Sequence, residues 1–295
     1  MIIIILGIIL SVAFTTLLER KFMGAIQRRV GPTKVGYLGL IQPILDGIKL
    51  ILKESIFPTT ANILLFLLAP FIVFYLALIN WLFIPLTDNL VISELNNGGI
   101  LILIALAELS IFGVLYAGWS ANSKYPLIGS IRSTAQMISY SITLSLIFIA
   151  IVFLNGNIEL MSFMTFTKWK ILLPIIPIFI ISALAETNRA PFDLPEAESE
   201  LVAGFFTEHS AIGFVFFFLG EYTSILTIST LFGIFLFNSS LATGLLLIIV
   251  LWIRAVLPRY RFDMLLKLGW TVLLPFTISY CAIFLPVCLI TFDLI

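Results

Sequence analysis

The sequence of 295 residues has few charged residues, two cysteines and one histidine. Charged residues make up 11% of the chain and hydrophobic residues 61%, and the mean hydropathy is +1.16. A soluble domain carries about 25% charged residues on its surface. This composition therefore excludes an ordinary water-soluble fold and predicts a protein whose main solvent is the bilayer. The formal net charge of zero also excludes a nucleic-acid-binding protein that acts through a general basic field.

Cysteine and histidine are too scarce to form a redox or metal site. Cys281 and Cys288 lie in one apolar run, and on one helix their Cα atoms would be about 10 Å apart, which excludes a disulfide between them. His209 with two intramembrane cysteines is not the ligand set of a zinc centre. The chain also lacks a GxGxxG fingerprint, a Walker loop and a nucleophile triad. Any redox cofactor is therefore expected on a partner protein.

Long apolar runs dominate the chain, and about 20 apolar residues are enough for a helix to cross a bilayer. The run from His209 to Leu257 is too long for one crossing, and the polar residues at 238–240 are expected to split it. The predicted fold is all-α, a single polytopic membrane domain over 1–295. Eight transmembrane helices are predicted near 1–19, 61–86, 98–119, 134–155, 171–186, 209–237, 240–257 and 269–292.

Basic residues are concentrated on one side of this predicted bundle. The loops on that side are predicted at 20–60, 120–133, 187–208 and 258–268. In or beside them lie 14 of the 16 lysines and arginines, whereas Lys168 and Lys170 fall on the other side. By the positive-inside rule the basic side is the cytoplasm or the mitochondrial matrix, and both termini face the opposite compartment.

The first basic loop contains an amphipathic segment from Leu40 to Glu54. Its apolar residues share one helical face, and Asp46, Lys49 and Lys53 lie on the other. This pattern predicts a helix that lies in the membrane interface, is covered by a partner subunit, or both.

Acidic residues do not follow the charge pattern of the loops. The segment ETNRAPFDLPEAESELVAGFFTE (186–208) contains one base, Arg189, and six acids: Glu186, Asp193, Glu196, Glu198, Glu200 and Glu208. Crowded acids repel each other, and burial raises their pKa values, so that such groups can load and release protons near neutral pH. The alternative interpretation is a solvated acidic loop.

Two further acids, Glu108 and Glu221, lie inside predicted spans. A carboxylate at mid-membrane costs about 2.5–3.5 kcal/mol on insertion scales, so it normally faces the bundle interior and marks an ion path. The alternative is a protonated side chain that makes one hydrogen bond to another helix. At the end of the first span, Glu19 and Arg20 form either a structural ion pair or part of a polar cavity.

Four stretches of the chain together resemble subunit 1 of the NADH dehydrogenase of respiratory complex I. They are ERKFMGAIQRRVGPTKVGYLGLIQPILDGIKLILKE (19–54), GWSANSKYPLIGSIRSTAQMISY (118–140), AETNRAPFDLPEAESELVAGF (185–205) and PRYRFDMLLKLGW (258–270). The resemblance implies a core membrane subunit of a proton-pumping NADH:ubiquinone oxidoreductase, in the mitochondrial inner membrane rather than a bacterial plasma membrane. Ubiquinone would be the substrate, and FMN, iron–sulfur clusters and NADH would be bound by partner subunits.

The resemblance also implies partners and residue roles. Hydrophilic-arm subunits would complete a ubiquinone chamber, small membrane-arm subunits would lie alongside, and lipids such as cardiolipin would bind. The residues implied for the chamber and its entrance are Glu19, Arg20, Arg28, Arg29, Asp46, Arg189, Asp193, Glu196, Glu198 and Glu200. Those implied for proton coupling are Glu108, Ser141, Glu186, Glu208 and Glu221.

One departure from the family pattern concerns the fourth span. The family commonly has a glutamate after Ser139-Tyr140, where this chain has Ser141, and a small or apolar residue where it has Glu108. We expect that the carboxylate has moved to Glu108 within the same cavity, about 7 Å or less from the Ser141 hydroxyl, a distance that one water can bridge. His209 replaces a more usual aromatic residue and is expected to be neutral, or to tune Glu208.

Two other functions fit parts of the sequence. The related membrane subunit of energy-converting hydrogenases would lack a quinone substrate, and the match across the amphipathic loop and the acidic motif favours the quinone enzyme. An independent secondary transporter would explain the buried acids but not the long acidic loop.

Overall fold

The computed structural model describes residues 2–85, 98–165, 168–193, 204–236 and 240–287. Within these ranges the regular structure is helical and no strand occurs, which confirms the predicted all-α fold. The α-helices are α1 (Ile2–Ile26), α2 (Gln42–Leu52), α3 (Ile63–Phe83), α4 (Gly99–Ser120), α5 (Lys124–Asn155), α6 (Ile176–Glu186), α7 (Ala211–Leu236), α8 (Ser240–Val256) and α9 (Phe262–Val287). Short 3-10 turns occupy Tyr37–Gly39, Leu160–Thr165, Lys168–Ile175 and Gly204–Phe206.

Six of these helices, α1, α3, α4, α5, α7 and α9, are long and apolar enough to cross a membrane. The seventh predicted span is the 17-residue helix α8, and the fifth consists of the 3-10 segment Lys168–Ile175 followed by the 11-residue helix α6. Proline explains the interruption, because Pro174 lies in the 3-10 segment and Pro177 in the first turn of α6, where a missing N–H is tolerated. The structure is therefore that of a polytopic membrane protein, while the eight span boundaries stay predictions.

Helix α2 is the predicted amphipathic helix of the first basic loop. Its apolar side chains Ile44, Ile48 and Ile51 are exposed, and an ion pair of 2.5 Å between Arg20 and Asp46 joins its polar face to α1. An exposed apolar face next to a membrane bundle fits either a position in the lipid interface or a covering partner subunit.

Helices α3, α4 and α7 pack closely around Val73. A Cβ atom at Gly113 of α4 would overlap Val73, and one at Gly220 of α7 would lie 2.9 Å from it. Small residues at helix contacts let membrane helices approach each other closely. Glu221, next to Gly220, is thereby fixed close to α3.

Helix α5 packs against α4, α6 and α9. Its Tyr140 is fully buried and donates a hydrogen bond of 2.9 Å to the Leu265 carbonyl of α9. Helix α9 contains two π-helical turns, at Gly269–Leu273 and Tyr280–Phe284. Helix α5 therefore connects α4 with α6 and α9 in the bundle.

Candidate functional site

A cavity of about 100 Å³ lies between α3, α4, α5, α7 and the end of α6. Four of the five residues predicted for proton coupling line it: Glu108, Ser141, Glu186 and Glu221. The fifth, Glu208, is half-buried before α7 and does not belong to the described lining. We call this space the acid cavity, because three carboxylates reach it from three different helices.

The hydroxyl groups on the wall of the acid cavity are bonded to their own helices. Ser110 donates to the Ala107 carbonyl, and Ser141 donates to the Ile138 carbonyl at 3.1 Å. The same arrangement holds for the other hydroxyls of the described wall, which are Ser145, Thr187, Ser224 and Thr227. Since each hydroxyl proton is already used, these side chains offer the cavity acceptor lone pairs.

Three buried oxygen atoms from residues of this wall have no hydrogen-bond partner within the described ranges: Asn80 Oδ1, Glu186 Oε2 and Asn188 Oδ1. All three are acceptors. No lysine, arginine or histidine lines the cavity in the part of the chain that the structure describes. Buried polar atoms are normally paired, commonly by water, so this wall suits an occupant that donates hydrogen bonds.

Glu108 lies at the mouth of the acid cavity on the outer face of α4. Its side chain is exposed, and the neighbouring exposed side chains Leu101, Leu109 and Phe112 are apolar. Glu108 and Glu186 are close enough for their carboxylates to repel each other when both are ionised. The opening of the cavity, at Glu108, thus lies on the exposed face of α4. The other side chains of this face are apolar and suit contact with lipid or with another membrane helix.

A second polar site surrounds Glu19 on the inner face of α1. The buried Glu19 carboxylate accepts a hydrogen bond of 2.5 Å from the Tyr222 hydroxyl, forms an ion pair with Arg254, and lies 3.8 Å from Arg189. The Arg189 guanidinium also lies over the Tyr222 ring, 4.2 Å from its centroid. We call these four residues the Glu19 cluster.

The Glu19 cluster borders a smaller cavity of about 30 Å³. The rest of its wall is mainly apolar and comes from α1, α7 and α8. Among the described residues one carboxylate faces two guanidinium groups, which places paired charges beside an apolar cavity. Such buried charges are stable only when they are paired and hydrogen-bonded.

Glu19 and Arg20 do not pair with each other. Glu19 points into the bundle, whereas Arg20 is 49% exposed and pairs with Asp46 of α2. Successive helix positions differ by about 100°, which separates the two neighbouring charges. Of the two interpretations of this dipeptide, the structure favours a polar cavity for Glu19 and a surface contact for Arg20.

The end of α6 determines how Glu186 and Arg189 are placed. The Arg189 N–H donates to the Leu184 carbonyl at 3.1 Å and the Asn188 N–H to the Ala185 carbonyl at 3.4 Å, with Asn188 at φ 50°. This is a Schellman motif, and asparagine is one of the residues that adopt the left-handed conformation it requires. The motif turns the chain so that Glu186 and Asn188 line the acid cavity while Arg189 joins the Glu19 cluster.

Helix α7 also contributes adjacent residues to the two sites. Glu221 lines the acid cavity, and Tyr222 belongs to the Glu19 cluster. The two sites therefore lie on different sides of α7 and are separated by single residue steps, from Asn188 to Arg189 and from Glu221 to Tyr222.

The remaining predicted residues that the structure describes lie apart from both sites. Asp193 is buried and forms an ion pair of 3.5 Å with Arg259. Arg28 and Arg29 are exposed in the turn after α1. His209 is buried in an aromatic pocket and stacks on Phe66, with ring centroids 3.9 Å apart. Three predicted chamber residues lie outside the described ranges: Glu196, Glu198 and Glu200.

Sequence reasoning missed Tyr222, Asn188 and Arg254. Arg254 lies inside the predicted span 240–257 and was counted only among the charges of the basic side, whereas in the structure it lies in the last turn of α8 and faces inward. The available signal was a charge that continues the apolar helical spacing of Leu247, Val250 and Leu251.

Comparison with known proteins shows the family of this chain. The family model described as NADH dehydrogenase matches residues 1–285. The NADH-ubiquinone oxidoreductase chain 1 of Hyaloraphidium curvatum is 54% identical over 285 residues, 95% of each chain. That of Chondrus crispus is 44% identical over 94% of this chain and 92% of its own length. A subunit of the NADH-quinone oxidoreductase of Rickettsia prowazekii (strain Madrid E) is 47% identical over 93% of this chain and 88% of its own. The chain belongs to the NADH dehydrogenase family.

Proposed function

We propose that the chain is a core membrane subunit of proton-pumping NADH:ubiquinone oxidoreductase in the mitochondrial inner membrane. The relatives that match nearly the whole chain are named as subunits of NADH-ubiquinone or NADH-quinone oxidoreductases. The chain contributes no redox centre of its own; NADH, FMN and iron–sulfur clusters belong to partner subunits. Its basic loops face the matrix, and both termini face the intermembrane space.

The acid cavity is the observation that carries this proposal. Proton movement through a membrane protein needs titratable groups that hydrogen-bonded water can connect. Glu108, Glu186 and Glu221 face one cavity of about 100 Å³. That volume is several times the roughly 10–15 Å³ that one water molecule requires, so the cavity can hold several waters. The acceptor oxygens of the wall give each water a partner for its protons, so the three carboxylates form part of a proton path.

Glu108 takes the place of the carboxylate that the family carries at Ser141. Both side chains line the acid cavity, one from α4 and the other from the neighbouring helix α5. With the carboxylate on α4 instead of α5, the cavity keeps the same number of titratable groups. The carboxylate then lies at the cavity opening. The expected distance of about 7 Å between the two side chains is part of this proposal.

The Glu19 cluster forms the membrane-side end of a ubiquinone chamber that hydrophilic-arm subunits complete. An apolar cavity beside a hydrogen-bonding cluster suits a molecule with a polar head and an isoprenoid tail. The chamber residues outside this cluster come from the matrix side: Arg20, Arg28, Arg29, Asp46, Asp193, Glu196, Glu198 and Glu200. Reduction of ubiquinone changes the charge near Arg189, and the segment from Glu186 to Arg189 passes this change to the acid cavity.

The exposed face of α4 binds a small membrane-arm subunit. Glu108 lies on that face among apolar side chains, and a carboxylate in contact with lipid at this depth is unfavourable. A neighbouring helix with a hydrogen-bonding side chain would shield it. On the matrix side, exposed basic residues next to the apolar face of α2 suit an anionic lipid such as cardiolipin.

The test uses Glu221→Gln in the assembled complex reconstituted into proteoliposomes. We expect ubiquinone-coupled turnover and proton pumping to fall, while NADH oxidation by an artificial soluble acceptor is unchanged, because that acceptor takes electrons from partner subunits. Glu159→Gln, at an exposed glutamate far from the cavity, is the matched control. Equal loss of both activities would indicate an assembly defect, and unchanged pumping would contradict the proposal. Purification of the unmodified chain as an active single protein would favour a transporter.

A further inference from the structure

We propose that Gln136 is a positioning residue that holds the segment from Glu186 to Arg189, so that the acid cavity and the Glu19 cluster change together. The inference rests on the proposed function, in which this segment connects the two sites. Gln136 lies on α5 and touches neither site directly among the described contacts.

Gln136 ties both ends of the segment to one helix. It is fully buried, and its Nε2 donates to the Ala185 carbonyl at 2.8 Å and to the Phe192 carbonyl at 2.9 Å. These two carbonyls lie immediately before and shortly after the residues that enter the two sites. A primary amide has two N–H donors, and both are used, so neither contact can be replaced by the other.

Each end of the segment has further contacts, but of different kinds. The Phe192 end packs on Tyr140, with ring centroids 6.0 Å apart, and the Pro191 carbonyl accepts from the Tyr260 N–H at 3.0 Å. The Ala185 end is the last turn of α6. Among the described side-chain hydrogen bonds, only those of Gln136 connect both Ala185 and Phe192 to one side chain.

Fixed ends limit how the residues between them can move. If Arg189 shifts relative to Glu19, the displacement cannot be absorbed by sliding of the whole loop, because the chain is held at Ala185 and Phe192. It has to be taken up between these two points, in a segment that includes Glu186 and Asn188 of the acid-cavity wall. Gln136 therefore converts a shift at the Glu19 cluster into a change of the cavity wall.

The amide of Gln136 can be changed without changing the volume of the core. Gln136→Met keeps the length of the side chain and removes both donors. Gln136→Asn keeps the amide but shortens the side chain by one methylene, so that it can reach one carbonyl at most. Ser139→Ala is the matched control, since the buried Ser139 hydroxyl bonds only the carbonyl of Gln136 on the same helix.

The experiment measures protons translocated per NADH oxidised by ubiquinone in proteoliposomes containing each assembled variant. NADH oxidation by a soluble acceptor gives the amount of complex. We expect the ratio to fall about twofold or more in Gln136→Met, to fall less in Gln136→Asn, and to stay unchanged in Ser139→Ala. A residue that only stabilised the fold would lower the amount of complex and leave this ratio unchanged.

An unchanged ratio in Gln136→Met would overturn the inference. If that variant does not assemble, Gln136→Asn decides by the same ratio. The Glu221→Gln variant separates the two proposals: if it lowers pumping while the Gln136 variants keep the normal ratio, only the positioning role fails. If all of them pump normally, the role of the acid cavity fails as well.

Discussion

The acid cavity and the Glu19 cluster treat buried carboxylates in opposite ways. In the Glu19 cluster one carboxylate is surrounded by donors, namely two guanidinium groups and a phenol. In the acid cavity three carboxylates face acceptor oxygens, and no base belongs to the described lining. The donors of the first arrangement stabilise Glu19 in its ionised form, whereas the described lining of the acid cavity contains no cation that would stabilise its carboxylates in the ionised form. We infer that Glu19 keeps a constant charge, whereas the charge of the acid-cavity carboxylates can change.

The largest effect is expected for Glu19→Gln, which tests whether the Glu19 cluster needs its negative charge. It leaves the buried Arg189 and the partly buried Arg254 without the Glu19 carboxylate, and removing one partner of a buried ion pair costs about 3–5 kcal/mol. We expect little assembled complex on a native gel and little NADH:ubiquinone activity. Glu186→Gln serves as the control in the other site, because it relieves repulsion with Glu108 and should preserve assembly. Normal assembly of Glu19→Gln would show that the cluster does not need its negative charge.

An exchange of the residues at positions 108 and 141 tests the acid cavity. Glu108→Ser alone should reduce proton pumping about tenfold, because one titratable group leaves the acid cavity. Adding Ser141→Glu should restore much of it, since both positions line the same cavity. The measurement is the initial rate of proton uptake per complex in proteoliposomes. A double variant that pumps as poorly as Glu108→Ser would contradict the idea that the carboxylate has moved between helices.

The smallest effect is expected for Arg20→Gln, next to Glu19 in the chain. Arg20 is half-exposed and pairs with Asp46 at the surface, and exposed ion pairs contribute about 0–1 kcal/mol. We expect normal assembly and a thermal midpoint of the complex within a few degrees of the unmodified value, as measured by loss of activity on heating. If Arg20→Gln lowered the amount of assembled complex as much as Glu19→Gln, Arg20 would have to be buried by a partner subunit in the complex.

The sequence was sufficient for the all-α membrane fold, because long apolar runs and proline positions depend on local physics. It also directed attention to Glu108 and Glu221, since charges inside apolar runs are conspicuous. It did not reveal the Glu19 cluster, whose members are up to 235 positions apart, from Glu19 to Arg254. It gave no sign of Gln136 either, because an uncharged polar residue in a helix has no distinctive pattern. The roles of the site residues stay predictions for the experiments above.

The exposed carboxylate at the mouth of the acid cavity has a consequence for biogenesis. If a neighbouring subunit covers α4 in the complex, as proposed above, a newly inserted chain presents Glu108 to lipid until that subunit binds. At about 2.5–3.5 kcal/mol, this exposure makes the unassembled chain less stable in the bilayer than the assembled one. The same residue that opens the proton path would then mark orphan copies for removal, so that quality control of the subunit and its function depend on one side chain.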